Sequence, residues 1–186
     1  MSKENILNML YKKFGEKKIL VRSLKSGDLK SPEKFQKFIN GLVREDVMIL
    51  VCSKKTKKEE LDWLKAKFAN LKKKKEIYLV AEYEGRVVGS CHIELGNERH
   101  SHIAEFGISV ARECRGIGLG KYLMQEAIRL AKTSLKPKII RLSVYQGNLS
   151  AIKLYEKLGF KQVAIIPQQA LYKGKLINEV VMLLHL

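Results

Sequence analysis

The stretch Val110-Ala111-Arg112-Glu113-Cys114-Arg115-Gly116-Ile117-Gly118-Leu119-Gly120-Lys121 decides how this chain is read. An apolar run over 102–110 leads into it, and Leu119, Leu123, Ala127 and Leu130 share one helical face beyond it. The segment is therefore a strand, a glycine turn and the start of a helix running from about 118 to 132. Glycines at 116, 118 and 120 let the backbone come close to a bound anion. The first N–H groups of a helix have no partner inside it, so a phosphate is favoured there. A P-loop would need Ser or Thr after Gly120-Lys121, and Tyr122 stands in that place. The dinucleotide fingerprint needs a third glycine that this run lacks, and an early βαβ unit, whereas this loop comes late. A glycine turn that serves only tight strand-to-helix packing is the competing reading.

Outward from the loop, residues 77–83 and 86–95 read as two strands joined by the hairpin signal Glu84-Gly85. Beyond it, 139–145 is a strand, 150–158 a short helix stopped by Gly159, and 161–166 and 177–186 are strands flanking the turn signal Lys173-Gly174. Toward the N-terminus, Ile6, Leu7, Leu10 and Phe14 fall at near-helical spacing, so 5–14 is expected to be an amphipathic helix ending at Gly15. A first strand follows at 19–24. Ser31-Pro32-Glu33 opens a helix with serine as its cap and Phe35, Phe38, Ile39 and Leu42 on one face. The run 47–52 reads as a strand or buried segment. Thr56 with Glu59 forms a capping-box pattern before Leu61, Leu64, Phe68 and Leu71, and Lys72 to Lys75 make a solvated helix end. The order implies a mixed α/β fold around a central sheet, with 1–186 as a single domain and 1–16 as an accessory element.

The 186 residues carry a formal net charge of +17, with 36 Lys and Arg against 19 Asp and Glu. Such a balance fits a solvated lysine-rich surface, attraction of a polyphosphate ligand, or proximity to nucleic acid or the ribosome. Cys52, Cys91 and Cys114 form no paired pattern, so disulfides and zinc knuckles are not expected, and reduced thiols in the cytoplasm are the simplest account. Cys52 and Cys91 read as small core residues, and Cys114 as an unreactive neighbour of the loop. His92, His100 and His102 lie near the middle strands without metal-ligand spacing, so no metal is expected. The N-terminus lacks an apolar signal region, and no apolar run is long enough to span a membrane.

Arg115-x-x-Gly118-x-Gly120 resembles the pyrophosphate-binding signature of the GCN5-related N-acetyltransferase (GNAT) superfamily. Downstream, Asn148-Leu149-Ser150-Ala151-Ile152-Lys153-Leu154-Tyr155-Glu156-Lys157-Leu158-Gly159-Phe160 resembles that superfamily's second cofactor-contacting motif, in the same order. The resemblance runs loosely from residue 19 to the C-terminus. It implies an open, V-shaped sheet flanked by helices, with acetyl-CoA as cosubstrate held between the strands ending at Val110 and beginning near Ile139.

It further implies that the backbone of Arg115, Gly116, Ile117, Gly118, Leu119, Gly120 and Lys121 takes the pyrophosphate. Ile108, Ser109 and Val110 pair with the pantetheine arm, and the Val110 amide polarises the thioester carbonyl. Asn148 matches a family asparagine that contacts the cofactor or caps its helix. Tyr155 matches the tyrosine that protonates the leaving thiolate; a phenol and a thiol lie within about two pKa units in water. Glu105 matches a glutamate that acts as base through water, with Glu82 a weaker candidate. Where protein-acetylating relatives carry a glutamate on the strand after the loop helix, this chain has Ser143. The implied reaction is direct transfer of acetyl to the amine of a small molecule, polyamine-like or other, or of a protein. A non-catalytic acyl-CoA-binding regulatory module is the alternative. A homodimer is compatible with all of this, and a membrane partner is not expected.

Overall fold

A computed structural model describes residues 9–186. The strands are β1 (Leu10–Phe14), β2 (Lys17–Ser23), β3 (Glu76–Tyr83), β4 (Arg86–Leu95), β5 (Ile103–Val110), β6 (Ile139–Tyr145), β7 (Lys161–Tyr172) and β8 (Lys175–His185). The α-helices are α1 (Pro32–Arg44), α2 (Lys57–Lys72), α3 (Leu119–Ser134) and α4 (Leu149–Lys157). The strands form one eight-stranded mixed sheet in the order β1-β2-β3-β4-β5-β6-β8-β7. The mixed α/β fold expected from the sequence is thus the fold observed.

The chain divides into two compact units, 1–94 with 107–135, and 95–106 with 136–186. In the first, α1 and α2 cover β2 to β4 through Leu24, Phe35, Phe38, Leu42, Leu64, Tyr78, Val80 and Val87. Leu119, Leu123 and Ala127 of α3 are fully buried, as their shared face predicts. The Glu84-Gly85 hairpin has φ of 50° and 72°, the left-handed pair that a two-residue turn between twisted strands requires. In the second unit, β6 pairs with β8, and β8 with β7, both antiparallel, the latter through the turn at Lys173-Gly174. Here β5 meets β6 in parallel, from Ile103↔Ile139 to Glu105↔Arg141.

Three local expectations change. The helix expected over 5–14 begins outside the described residues, and its remainder is β1, paired antiparallel with β2 from Leu10↔Val21 to Phe14↔Lys17. Gly15, at φ 57°, turns the chain back, and the ladder to β2 satisfies backbone groups that a short exposed helix would leave to water. Residues 47–52 form no regular element, and Cys52 is exposed rather than a core residue. Ser31 occupies the N-cap of α1, but its side chain makes no capping bond; Pro32 at the first turn sets the start. By contrast, Thr56 and Glu59 close the full capping box: the Thr56 hydroxyl accepts from the Glu59 N–H at 3.2 Å, and the Glu59 carboxylate accepts from the Thr56 N–H at 2.7 Å.

Buried charge is concentrated in the first unit. Arg22, 2% exposed, donates to both oxygens of Asp28 at 2.8 and 2.7 Å and to Glu82 at 2.6 Å. A guanidinium taken out of water at this depth needs such a fork of carboxylates. Glu82, named above as a weaker base, is committed to this triad.

Candidate functional site

The glycine loop is held from beneath. Cys114 is fully buried, and burial pushes its thiol pKa up, which suits a packing role. The Arg115 side chain donates to the Val110 carbonyl at 2.8 Å and meets the Glu45 carboxylate at 2.8 Å. Arg115 therefore braces the loop against the end of β5 and the end of α1. Gly116 and Gly118 have φ of 76° and 89°, a region costly for any residue with a Cβ. A Cβ placed on either would meet no protein atom within 4 Å. Neither glycine is there to avoid a clash within the protein, so the open side of the loop is available to a ligand.

Gly118 is also the N-cap residue of α3, and no side chain caps that helix. The first turn holds no acidic residue, and Lys121 is exposed within it. The helix thus starts with N–H groups of Leu119, Gly120 and Lys121 that its own carbonyls do not reach. Partial positive charge from the aligned peptides, a nearby lysine and a flat glycine backbone together suit a diphosphate. Ile108, Ser109 and Val110 are half-buried at the end of β5, immediately before this loop.

Beside them lies a feature the sequence reading missed. Gly107 is where it is because the His92 ring fills the space its side chain would take; an added Cβ would overlap that ring. His92 stacks on Tyr78 with centroids 6.0 Å apart and planes within 6°. Burial, then the Lys67 ammonium, holds the His92 pKa down to about 4, so the ring is neutral at physiological pH. Tyr78 meets Trp63 edge-on at 5.6 Å. Nearby, Glu60 is 7% exposed and takes part in no ion pair within 4.0 Å among the described residues; burial raises its pKa to about 7, opposed by Lys55. Glu76 is raised to about 7 for the same reason, with Lys67 at 3.2 Å as an ion-pair contact. The Lys67 ammonium also donates to Glu94 at 2.6 Å. The sequence signal for these groups was present: Glu60 sits between apolar positions of α2, and Glu76 opens an apolar strand.

The second unit carries the other expected residues. Glu105 is paired with Arg141, Oε1 to Nε at 2.7 Å, directly across the parallel β5–β6 register. Burial raises the Glu105 pKa, and the Arg141 charge opposes this. Tyr155 is 8% exposed on α4 and sits among Phe106 at 6.3 Å and Phe160 at 6.1 Å. The ring is fixed by this packing. Asn148 caps α4: its side-chain oxygen accepts from the Ala151 N–H at 3.3 Å and from the Ser150 hydroxyl at 3.2 Å. Of the two roles left open for Asn148, the cap is the one its side-chain oxygen performs. Ser143 lies exposed on β6. No group of three or more His, Cys, Asp or Glu is arranged to hold a metal ion among the described residues. No described helix is long and apolar enough to cross a membrane.

Against known proteins, the family model described as the Acetyltransferase (GNAT) family matches residues 44–160. This chain belongs to the GNAT family. The match takes in α2, β3 to β6, the glycine loop, α3 and α4. Among curated GNAT relatives, the L-amino acid N-acetyltransferase AaaT of Escherichia coli is 36% identical over 101 residues, which is 54% of this chain and 62% of that protein. The alignment thus spans less than two thirds of that relative's length. Among solved structures, a GNAT-family acetyltransferase from Streptococcus pneumoniae superposes with a TM-score of 0.79 at 24% identity, covering 91% of this chain and 100% of the other. The phosphinothricin acetyltransferase of Sinorhizobium meliloti, solved in complex with AcCoA, gives a TM-score of 0.74 at 20% identity, covering 90% and 88%. At those identities the two structures bear on the GNAT fold alone.

Proposed function

We propose that the protein transfers an acetyl group from acetyl-CoA to a primary amine. The observation that carries this is the uncapped start of α3 behind two left-handed glycines whose outer side is open, in a chain of the GNAT family. Acetyl-CoA supplies a thioester, an acyl group already activated toward amines. The backbone N–H groups of 116–121 hold its diphosphate, and Arg115 keeps the loop in shape through Glu45 and the Val110 carbonyl. The backbone of Ile108, Ser109 and Val110 lies along the pantetheine arm. The Val110 N–H donates to the thioester oxygen, where negative charge gathers as the amine attacks.

The amine must lose a proton, and Glu105 or a water it holds accepts it. Burial favours the protonated form of this carboxyl, and the Arg141 charge, 2.7 Å from one of its oxygens, opposes this. The C–N bond forms as the C–S bond breaks, and the leaving thiolate takes a proton from the Tyr155 hydroxyl. Transfer is direct: buried Cys114, with its raised pKa, offers no acyl carrier. The acceptor is the amine of a small molecule or of a protein, and the name of the Escherichia coli relative makes L-amino acids the first class to test.

The test measures thiol release from acetyl-CoA with L-amino acids, polyamines, phosphinothricin and peptides as acceptors. Turnover with at least one amine is expected. Coenzyme A binding without turnover for any amine would favour an acyl-CoA-binding regulatory module, and absence of binding would overturn both readings.

A further inference from the structure

The strand β1 has no part in the reaction described so far, and it lies outside the stretch that the family model matches. It is nevertheless packed against the glycine loop. β1 and β2 pair as a hairpin inside the first unit, and the turn between them rests on the loop: a Cβ on Gly15 would lie 3.9 Å from the Ile117 side chain. Phe14, 6% exposed, sets its ring 5.5 Å from that of Tyr122 in the first turn of α3. Tyr122 stands where a P-loop would carry Ser or Thr, and here it is the surface against which the hairpin sits.

Two lysines share the face that Phe14 turns to α3. Strand alternation places Lys12 there, and the register Phe14↔Lys17 places Lys17 there as well. The Lys12 ammonium lies 4.1 Å from the centre of the Tyr122 ring, and that of Lys17 lies 4.9 Å from the Tyr83 ring. An aromatic face holds a cation in place without neutralising it. Lys13, on the other face, is paired with Glu16 at 3.7 Å, whereas Lys12 and Lys17 form no ion pair among the described residues. The Lys17 charge is felt beneath the loop: burial raises the Cys114 thiol pKa, and Lys17 opposes that rise.

Acetyl-CoA carries more negative charge than its diphosphate. A third phosphate is esterified to the ribose 3′ oxygen and is close to doubly charged at pH 7. The N–H groups of 116–121 are matched to the diphosphate, so a dianion farther along the ligand needs donors of its own. We propose that Lys12 and Lys17 of the β1–β2 hairpin bind the 3′-phosphate of acetyl-CoA and so select the 3′-phosphorylated coenzyme over its dephosphorylated form. The inference rests on the reading of 116–121 as the diphosphate site. An ammonium has three N–H donors, so each lysine can stay over its ring and still donate to a phosphate oxygen. The overall charge of +17 draws in any polyanion through a long-range field that salt screens. Recognition of one phosphate demands fixed cations beside the loop, and the hairpin supplies them.

Calorimetric titration of the full chain with coenzyme A and with 3′-dephospho-coenzyme A, at about 0.15 M salt, tests it. The unmodified protein should bind coenzyme A at least about tenfold more tightly, as charge-assisted contacts to a phosphate imply. The double variant Lys12→Gln with Lys17→Gln should lose that preference through weaker binding of coenzyme A. Its affinity for the dephosphorylated ligand should stay within about twofold, which also shows that the variant is folded and its loop intact. Lys13→Gln, on the opposite face of the hairpin, should leave both affinities within about twofold. Equal affinity of the unmodified protein for the two ligands, a preference that survives the double variant, or its loss in Lys13→Gln would overturn the proposal while leaving the diphosphate site standing. A double variant that weakens both ligands equally would do the same. If the unmodified protein binds neither ligand, the diphosphate reading falls and takes this inference with it.

Discussion

Replacing Glu60 with glutamine should stabilise the protein, and by an amount that depends on pH. Glu60 is 7% exposed on the inner side of α2 and has no ion-pair partner among the described residues. Burial moves its pKa from 4.5 to about 7. The folded chain therefore holds a proton that the unfolded chain has released between those values. Stability is highest at low pH, falls as pH rises through that window, and is level above it. The difference corresponds to about 3 kcal/mol at pH 8 and under about 1 kcal/mol at pH 5. The amide of Glu60→Gln keeps the shape of the carboxyl without its charge, so the variant gains that amount. For a chain of this length, about 3 kcal/mol raises Tm by roughly 6–12 °C. Calorimetric melts of both proteins at several pH values between 5 and 8 provide the assay. Glu76, raised to about 7 as well, adds the same trend to both and cancels in the difference. A Tm difference that stays constant across the pH range would refute the reasoning, because it would mean that the Glu60 carboxylate is stabilised in the fold.

Tyr155→Phe keeps the ring among Phe106 and Phe160 and removes the hydroxyl. Turnover should fall roughly 10- to 1,000-fold with coenzyme A affinity retained by calorimetric titration; unchanged turnover would remove Tyr155 from the mechanism. Gly118→Val places a side chain where no protein atom lies within 4 Å, so the chain should still fold, at a backbone cost of about 1–2 kcal/mol, and lose coenzyme A binding. Binding at the unmodified level would make the loop purely structural. Gly107→Ala drives a methyl into the His92 ring and should cost about 1–3 kcal/mol in urea melts, restored in large part by adding His92→Ala.

The sequence was most readable where local chemistry and packing agreed. Thr56 and Glu59 announced the start of α2, Glu84-Gly85 the hairpin, and the spacing of Leu119, Leu123 and Ala127 the buried face of α3. It misled over 5–14, because Leu10 and Phe14 satisfy a helical period and the decision for β1 is made by pairing with β2. The loop was legible because glycine spacing is a local property. Its bracing by Arg115 and Glu45 was not, since that contact joins residues far apart along the chain. Glu82 showed the same limit: as a strand carboxylate it passed for a base, and its bonds to Arg22 emerge only when β2 and β3 lie side by side. Tyr155 and Glu105 are singled out only by resemblance to the family, and that resemblance does not reveal Arg141 as the neighbour of Glu105.

The buried charges have a consequence for how the surface can be treated. Among the described residues, those sealed inside are Arg22, Asp28, Glu60 and Glu76, an acidic set within a strongly cationic molecule. The excess lysine is a coat, not a component of the interior. It can be thinned, by exchange of exposed lysines for glutamine, to alter solubility, column behaviour or crystal growth while the folded interior keeps its own electrostatic balance.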